Sequence, residues 1–301
     1  MAQLDVRPLI EGRPFGVRIR GITIDQTQDP AVRDEVNALF DRHGMIVFED
    51  VEPTGRMQVA LSDIFGPLKD HPSKAVPRVD QDSMPGVIDM ATPANEPGTM
   101  TVEGREVISW LPWHFDHAYN NELNRAGVLR AIDIPPEGGL TGFVDGIELY
   151  ERLSPELRAR IDGANVLYRM NVVMEDFRFG RPDNYVVHSE RPGTSAVMDA
   201  SKDVPRSVHP AVWTRATGEK VLHVSPWMAE GIEGQETPEG DALLDAVSRE
   251  IFALSRELAY WHQWKPTDML IWDNWRARQA VSGHPPRYPR RMQGTTIKGD
   301  Y

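Results

Sequence analysis

Apolar residues recur along this chain with two periods. Behind Asp29-Pro30 they fall at Val32, Val36, Leu39 and Phe40, and His43-Gly44 follows, so spacing and end signals predict a helix over residues 30–43. Residues 54–65 repeat the pattern and Gly66-Pro67 closes it, which predicts a second helix. Met45-Ile46-Val47-Phe48 is an unbroken apolar run between them and reads as a buried strand. Short apolar runs alternating with Gly and Arg over residues 15–22 read as a strand and its turn. The opening is therefore strand, helix, strand, helix.

Residues 68–106 are rich in Pro, Asp, Ser and Gly, and are expected to form a long loop with residues 87–90 as its one strand. Loops of that length inside compact domains are commonly lids or binding loops. His71 falls here, as an exposed loop histidine or a substrate contact. Strands are expected at 127–132, 141–144, 165–168, 209–213, 220–224, 268–274 and 291–297. Residues 149–161 read as one helix around Ser154-Pro155, and residues 240–257 as another, with Leu244, Val247, Ile251, Leu254 and Leu258 on one stripe. Residues 175–206 are polar, rich in Arg and Pro, and aperiodic: an excursion over an active-site mouth, or an ordinary solvated loop. No repeat, low-complexity segment or linker divides the 301 residues, so 1–301 is expected to be one domain. Many short strands with few helices predict a mainly β fold with flanking helices, a sandwich or jelly roll.

Composition narrows the function. A net charge of -12 argues against a protein built to neutralise phosphates, so no nucleic-acid partner is expected. The absence of cysteine excludes disulfides, thiolate metal sites and a cysteine nucleophile, and leaves imidazole, carboxylate or amide as the ligands a metal could use. No basic-then-apolar signal opens the chain and no apolar run approaches about 18 residues, so a cytoplasmic protein that neither crosses nor binds a membrane is expected.

The candidate chemistry starts at Trp113-His114-Phe115-Asp116. On a strand, residues i and i+2 share a face, so His114 and Asp116 could grip one metal ion from one side. That is two thirds of the facial triad used by non-haem Fe(II), whose third ligand would come from far downstream.

Several stretches together carry a resemblance: Trp113-His114-Phe115-Asp116; Pro135-Pro136-Glu137-Gly138-Gly139-Leu140-Thr141-Gly142-Phe143; Asp268-Met269-Leu270-Ile271-Trp272-Asp273-Asn274; and Arg290-Arg291-Met292-Gln293-Gly294-Thr295-Thr296-Ile297. In this order they resemble the taurine dioxygenase/TfdA family of Fe(II)- and 2-oxoglutarate-dependent dioxygenases, as does the opening from Phe15-Gly16 to Phe65-Gly66-Pro67. The resemblance implies a double-stranded β-helix (jelly roll) that hydroxylates a C–H bond of a small-molecule substrate with O2, 2-oxoglutarate leaving as succinate and CO2. It also implies a homo-oligomer, dimer or tetramer. It assigns His114 and Asp116 to the iron, Thr141 to 2-oxoglutarate, and Arg290 to that co-substrate's distal carboxylate, which a guanidinium fork suits. Arg291 would face the other way, as a surface cation. Asp116 argues against a halogenase.

Two positions depart from the family pattern. Five residues after Asn274, where the family has its third iron ligand, a His, stands Gln279, eleven residues before Arg290. A glutamine carbonyl can coordinate a hard divalent ion but is a poorer donor to Fe(II) than imidazole. His284 is the nearby imidazole that could take its place. Gly294 stands where members acting on sulfonates or carboxylates often carry an Arg, and is expected to open space beside the metal. A larger or neutral substrate then fits better than a small anion. The alternatives are a metal-impaired member of the fold that binds a small molecule or partner without turnover, and a cupin-like isomerase or lyase. Of the rest, His117 reads as a surface or second-layer residue, Tyr119 as part of a loop, and His209 and His223 as core or rim histidines. The tryptophans at 261, 264, 272 and 275 read as packing, and Ser225 lacks the glycines of a nucleophile elbow.

Overall fold

The computed structural model of the chain describes residues 4–69, 77–80 and 84–299. His71 lies outside them. The architecture is two large facing sheets with helices on both outer faces, beside a three-stranded sheet (Ser207–Pro210, Asn165–Tyr168, Ala229–Ile232) and a two-stranded one (Val212–Thr214, Lys220–Leu222). One sheet has nine strands: Asp5–Pro8, Val17–Arg20, Met45–Glu49, Met269–Asp273, Ala126–Asp133, Arg290–Ile297, Met84–Thr92 and Arg78–Asp80 lie in that order, and Leu68–Lys69 also pairs with Arg290–Ile297. The other runs Val186–Val187, Thr99–Val102, Arg105–His114, Ala277–His284, Thr141–Asp145, Tyr260–His262.

Alternation along the central strands accounts for the layering. In Met45–Glu49, Met45 and Val47 pack between the sheets with Leu270, Trp272 and Phe143, whereas Ile46 and Phe48 face outward. There they meet Val36 and Phe40 of the helix Pro30–His43 and Met57 and Leu61 of Gly55–Asp63. Both faces are buried, which is why this strand reads as a continuous apolar run. The 30–43 helix has the predicted bounds: the Asp29 side chain caps its start, and Gly44 ends it at φ 71°. The second sheet is covered on its outer face by Pro238–Leu258, whose Leu244, Val247 and Ile251 pack with Val144, Leu149 and Ala280.

Three expectations need correction. Residues 68–106 are largely strands where described. Thr99–Val102 and Arg105–His114 form a hairpin closed by two residues, Glu103 (φ 50°) and Gly104 (φ 78°), the paired positive φ that suits the right-handed twist of a tight hairpin. Residues 149–161 belong to two helices, Gly146–Arg152 and Pro155–Ile161, because Pro155 drives Ser154 out of the helical region, to ψ 140°. Residues 175–206 contain the short strand Val186–Val187 and the helix Thr194–Ser201.

Candidate active site

His114 is the last residue of Arg105–His114, and its Cα partner across the sheet is Gln279 on Ala277–His284. Asp116 follows just beyond the strand end. Its Oδ1 lies 3.6 Å from His114 Nε2 and accepts a 2.6 Å hydrogen bond from Gln279 Nε2. The three residues assigned to the metal thus converge. The His114 ring is held at its other nitrogen, with Nδ1 2.7 Å from the Pro112 carbonyl, which turns Nε2 toward Asp116. The Trp227 ring stands edge-on to it at 5.0 Å. Burial, the largest influence on Asp116, pushes its carboxyl up; the His114 and His117 rings and the Gln279 amide outweigh it, so the group lies below its ordinary value.

Asn274 was not expected to act here, yet it fixes Asp116 through the backbone. Its Oδ1 accepts from the Asp116 N–H at 2.7 Å, and its Nδ2 donates to the Asp116 carbonyl at 3.0 Å and to Asn124 Oδ1 at 3.0 Å. Its place at the end of the Trp272-Asp273-Asn274 stretch, from which Gln279 is counted, was the available signal. Beneath the site, His223 stacks on Phe115 (4.2 Å, 17°), and burial keeps it well below its ordinary pKa. His209 is buried against the Ala118 carbonyl at 3.0 Å. Both are core histidines, as expected.

His284 does not reach the metal position. The register sets Gln279 opposite His114 but His284 opposite Ile108, six residues down the same strand, roughly 20 Å away. There His284 is buried with Nε2 3.1 Å from the Tyr288 carbonyl, and burial together with the Arg290 charge lowers its pKa to about 4. Among the described residues, no group of three His, Asp or Glu side chains could hold a metal. The donor set that the fold assembles is one imidazole, one carboxylate and one amide. It fits a hard divalent ion if the Gln279 amide turns its oxygen inward.

The other end of the same pocket holds Thr141 and Arg290. Thr141 Oγ1 accepts from Trp264 Nε1 at 3.1 Å and from Arg290 at 3.4 Å; Arg290 Nε donates to the Gly139 carbonyl at 3.3 Å. The turn before Thr141 needs its glycines: Gly138 and Gly139 sit at φ 70° and 67°, and a Cβ at 138 would lie 2.7 Å from the Gly283 carbonyl oxygen. Burial, and then the charge of Arg191, lower the Arg290 pKa to about 10. Among the described residues no carboxylate pairs with Arg290, whereas Arg291, facing the other way as expected, pairs with Asp89 at 2.8 Å. The cavity between the two ends is about 640 Å³ and is lined by His114, Asp116, Gln279, Thr141 and Arg290 together.

The comparisons with known proteins identify the family. Residues 5–296 match the profile described as taurine catabolism dioxygenase TauD, TfdA family. The chain belongs to this family. Among curated relatives, pentalenolactone F synthase of Streptomyces arenae is 24% identical over 96% of this chain and 94% of its own. The alpha-ketoglutarate-dependent 2,4-dichlorophenoxyacetate dioxygenase of Cupriavidus pinatubonensis is 26% identical over 86% of each. Solved structures share the fold: AAD-2 in complex with Mn(II) and N-oxalylglycine has a TM-score of 0.72 at 20% identity, covering 100% of this chain and 99% of that one. A taurine dioxygenase from Burkholderia xenovorans has a TM-score of 0.70 at 23%, covering 99% and 91%. The jelly roll anticipated from the motifs is therefore the fold of this family member.

Gly294 departs from expectation in one respect. The room beside it is already taken, since a Cβ there would meet Met90 Cε, Ile88 Cγ1 and Leu129 Cδ2 at 3.2 to 3.3 Å. All three side chains also line the cavity. The missing side chain is replaced by apolar surface.

Proposed function

We propose that this family member is an Fe(II)- and 2-oxoglutarate-dependent oxygenase that hydroxylates a C–H bond of a small organic substrate. His114, Asp116 and the Gln279 amide would hold the iron, and Thr141 with Arg290 would hold the distal carboxylate of 2-oxoglutarate. The observation that carries the reading is the pairing, in one cavity, of a His–Asp–Gln cluster at one end with the half-buried Arg290 guanidinium at the other, which among the described residues has no carboxylate partner. Iron, 2-oxoglutarate and O2 would supply the oxidation, one oxygen atom going to the substrate and one to succinate as CO2 leaves.

The chain's own residues do the rest. His114 presents Nε2, held by its Nδ1 contact to Pro112; Asn274 fixes the backbone of Asp116; Thr141 and Arg290 orient a carboxylate. Met90, Met170, Met228 and Trp227 give the wall an apolar surface that adapts to substrate shape and excludes water. With Gly294 in place of a cation, this lining favours a neutral or largely apolar substrate. The same reading includes a homodimer or tetramer, checked by light scattering, and a cytoplasmic location, checked by fractionation.

The test is an anaerobic titration of the metal-free protein with Fe(II) and 2-oxoglutarate, followed by a substrate screen that measures succinate. A visible charge-transfer band at about one iron per chain, and substrate-dependent succinate, are expected. Failure to bind either iron or 2-oxoglutarate would refute the reading and favour the non-oxidative alternative that Gln279 raises.

A further inference from the structure

A second guanidinium lines the cavity, and the fold delivers it to the same end as Arg290. Val186–Val187 adds to the edge of Thr99–Val102, and Ser189 Oγ accepts from the Gly98 and Thr99 N–H groups at 2.9 and 3.2 Å. These contacts lay Arg191 against Gly98, where a Cβ would lie 2.5 Å from Arg191 Cγ; only glycine leaves room for it. Thr99 pairs with Ile108 and Ile108 with His284, so Arg191 enters at the His284 row, away from His114 and Gln279. Its guanidinium donates to Thr92 Oγ1 at 3.3 Å, and Thr92 is the Cα partner of Arg290 on the neighbouring strand. Thr92 Oγ1 also meets Ser109 Oγ at 2.9 Å.

Two guanidinium groups therefore face one enclosed space. Burial lowers the Arg191 pKa, partly offset by Glu96, which also lines the cavity; among the described residues no carboxylate pairs with either guanidinium. Like charges sharing a buried site repel unless an anion lies between them. A carboxylate offers about four lone-pair sites, more than one Arg fork and one hydroxyl occupy.

Resting on the functional reading above, we propose that Arg191 is a second cation for the distal carboxylate of 2-oxoglutarate, so that co-substrate binding also anchors the segment that walls the pocket. That segment continues through Gly193 into the helix Thr194–Ser201, none of whose residues is buried, although Thr194, Ala196 and Val197 line the cavity. Few apolar contacts hold this helix down, and a charge contact at its root would do so.

The test uses the full chain loaded with Mn(II) and calorimetric binding of 2-oxoglutarate and of 2-oxopentanoate, which has a methyl group in place of the distal carboxylate. Arg191→Gln is expected to weaken 2-oxoglutarate binding by about tenfold or more and to leave 2-oxopentanoate unchanged. Arg290→Gln should do the same. In the wild type, 2-oxoglutarate should slow tryptic cleavage after Lys202, at the end of the helix Thr194–Ser201, and in Arg191→Gln it should not. Wild-type affinity in Arg191→Gln would overturn the proposal while leaving the functional reading intact. Loss of both ligands alike would overturn it by showing a merely structural role. Absence of 2-oxoglutarate binding in the wild type would overturn both.

Discussion

Replacing Gln279 with His tests the metal end of the pocket. In the protein as it stands, the Gln279 amide donates a 2.6 Å hydrogen bond to Asp116 Oδ1, the oxygen that faces His114 Nε2. A metal entering there must displace that donor before the amide oxygen can turn inward. Hydrogen bonds to charged groups contribute about 1.5 to 3 kcal/mol, so the displacement alone weakens metal binding roughly 10-fold to 100-fold. An imidazole at 279 sits at the same place on the strand, directly opposite His114, and supplies a better donor to Fe(II). Gln279→His should therefore bind Mn(II) at least about tenfold more tightly, read from the loss of the free-ion electron paramagnetic resonance signal, and should raise succinate release at limiting iron. Unchanged metal affinity in a folded Gln279→His protein would refute the placement of residue 279 at the metal.

Three further outcomes are expected. Asn274→Ala removes four hydrogen bonds to Asp116 and Asn124 and should cost about 3 kcal/mol, seen as a fall in Tm of roughly 5 to 10 °C together with weaker metal binding. Gly294→Arg should cost about 1 to 3 kcal/mol in denaturant unfolding, because its side chain must displace Met90, Ile88 and Leu129, and should confer no new turnover of small sulfonates. His284, with its folded pKa near 4 below an unfolded value of about 6.5, is protonated first in the unfolded chain; stability should therefore fall as pH drops from 6.5 to 4. His284→Gln should flatten that slope by up to about 1.4 kcal/mol per pH unit, and an unchanged slope would show the ring is not held neutral.

Much of the candidate site was legible because its residues lie in short motifs at strand ends. His114 and Asp116 lie two apart, and the Gly138-Gly139 turn announces itself by the positive φ it requires. The strand that carries Gln279 was harder to see. Ala277–His284 carries Arg278, Gln279, Ser282 and His284 among mostly small residues, so its burial comes from the sheets around it rather than from its own hydrophobicity. Arg278 is fully buried in this strand, donating to the Trp275 and Ala277 carbonyls with its guanidinium 4.9 Å from the Phe115 ring centroid. No periodicity argument places an arginine there. Arg191 was hidden for a related reason: the 175–206 stretch has no period because it pairs only two residues into a sheet edge. Its role depends on Gly98, ninety-three positions earlier, which only the register brings alongside.

The substitution at 279 exchanges one neutral donor for another, since imidazole and amide both leave Asp116 as the only charged group the metal meets among the three. The electrostatic demand at the far end of the cavity is untouched by it: among the described residues no carboxylate pairs with Arg290 or Arg191, and Glu96 only partly offsets the Arg191 charge. On the proposed reading, Gln279 would weaken the grip on the metal without weakening the attraction for a dicarboxylic 2-oxo acid, so the two affinities should be separable in this chain. A ligand that spans both ends couples them again. Held at the guanidinium pair, 2-oxoglutarate would supply the metal with oxygen donors in addition to the His114, Asp116 and Gln279 ligands, which would offset what the amide lacks. Metal affinity should accordingly rise more steeply with 2-oxoglutarate concentration in the wild type than in Gln279→His, and equal dependence in the two proteins would break this link between the ends of the pocket.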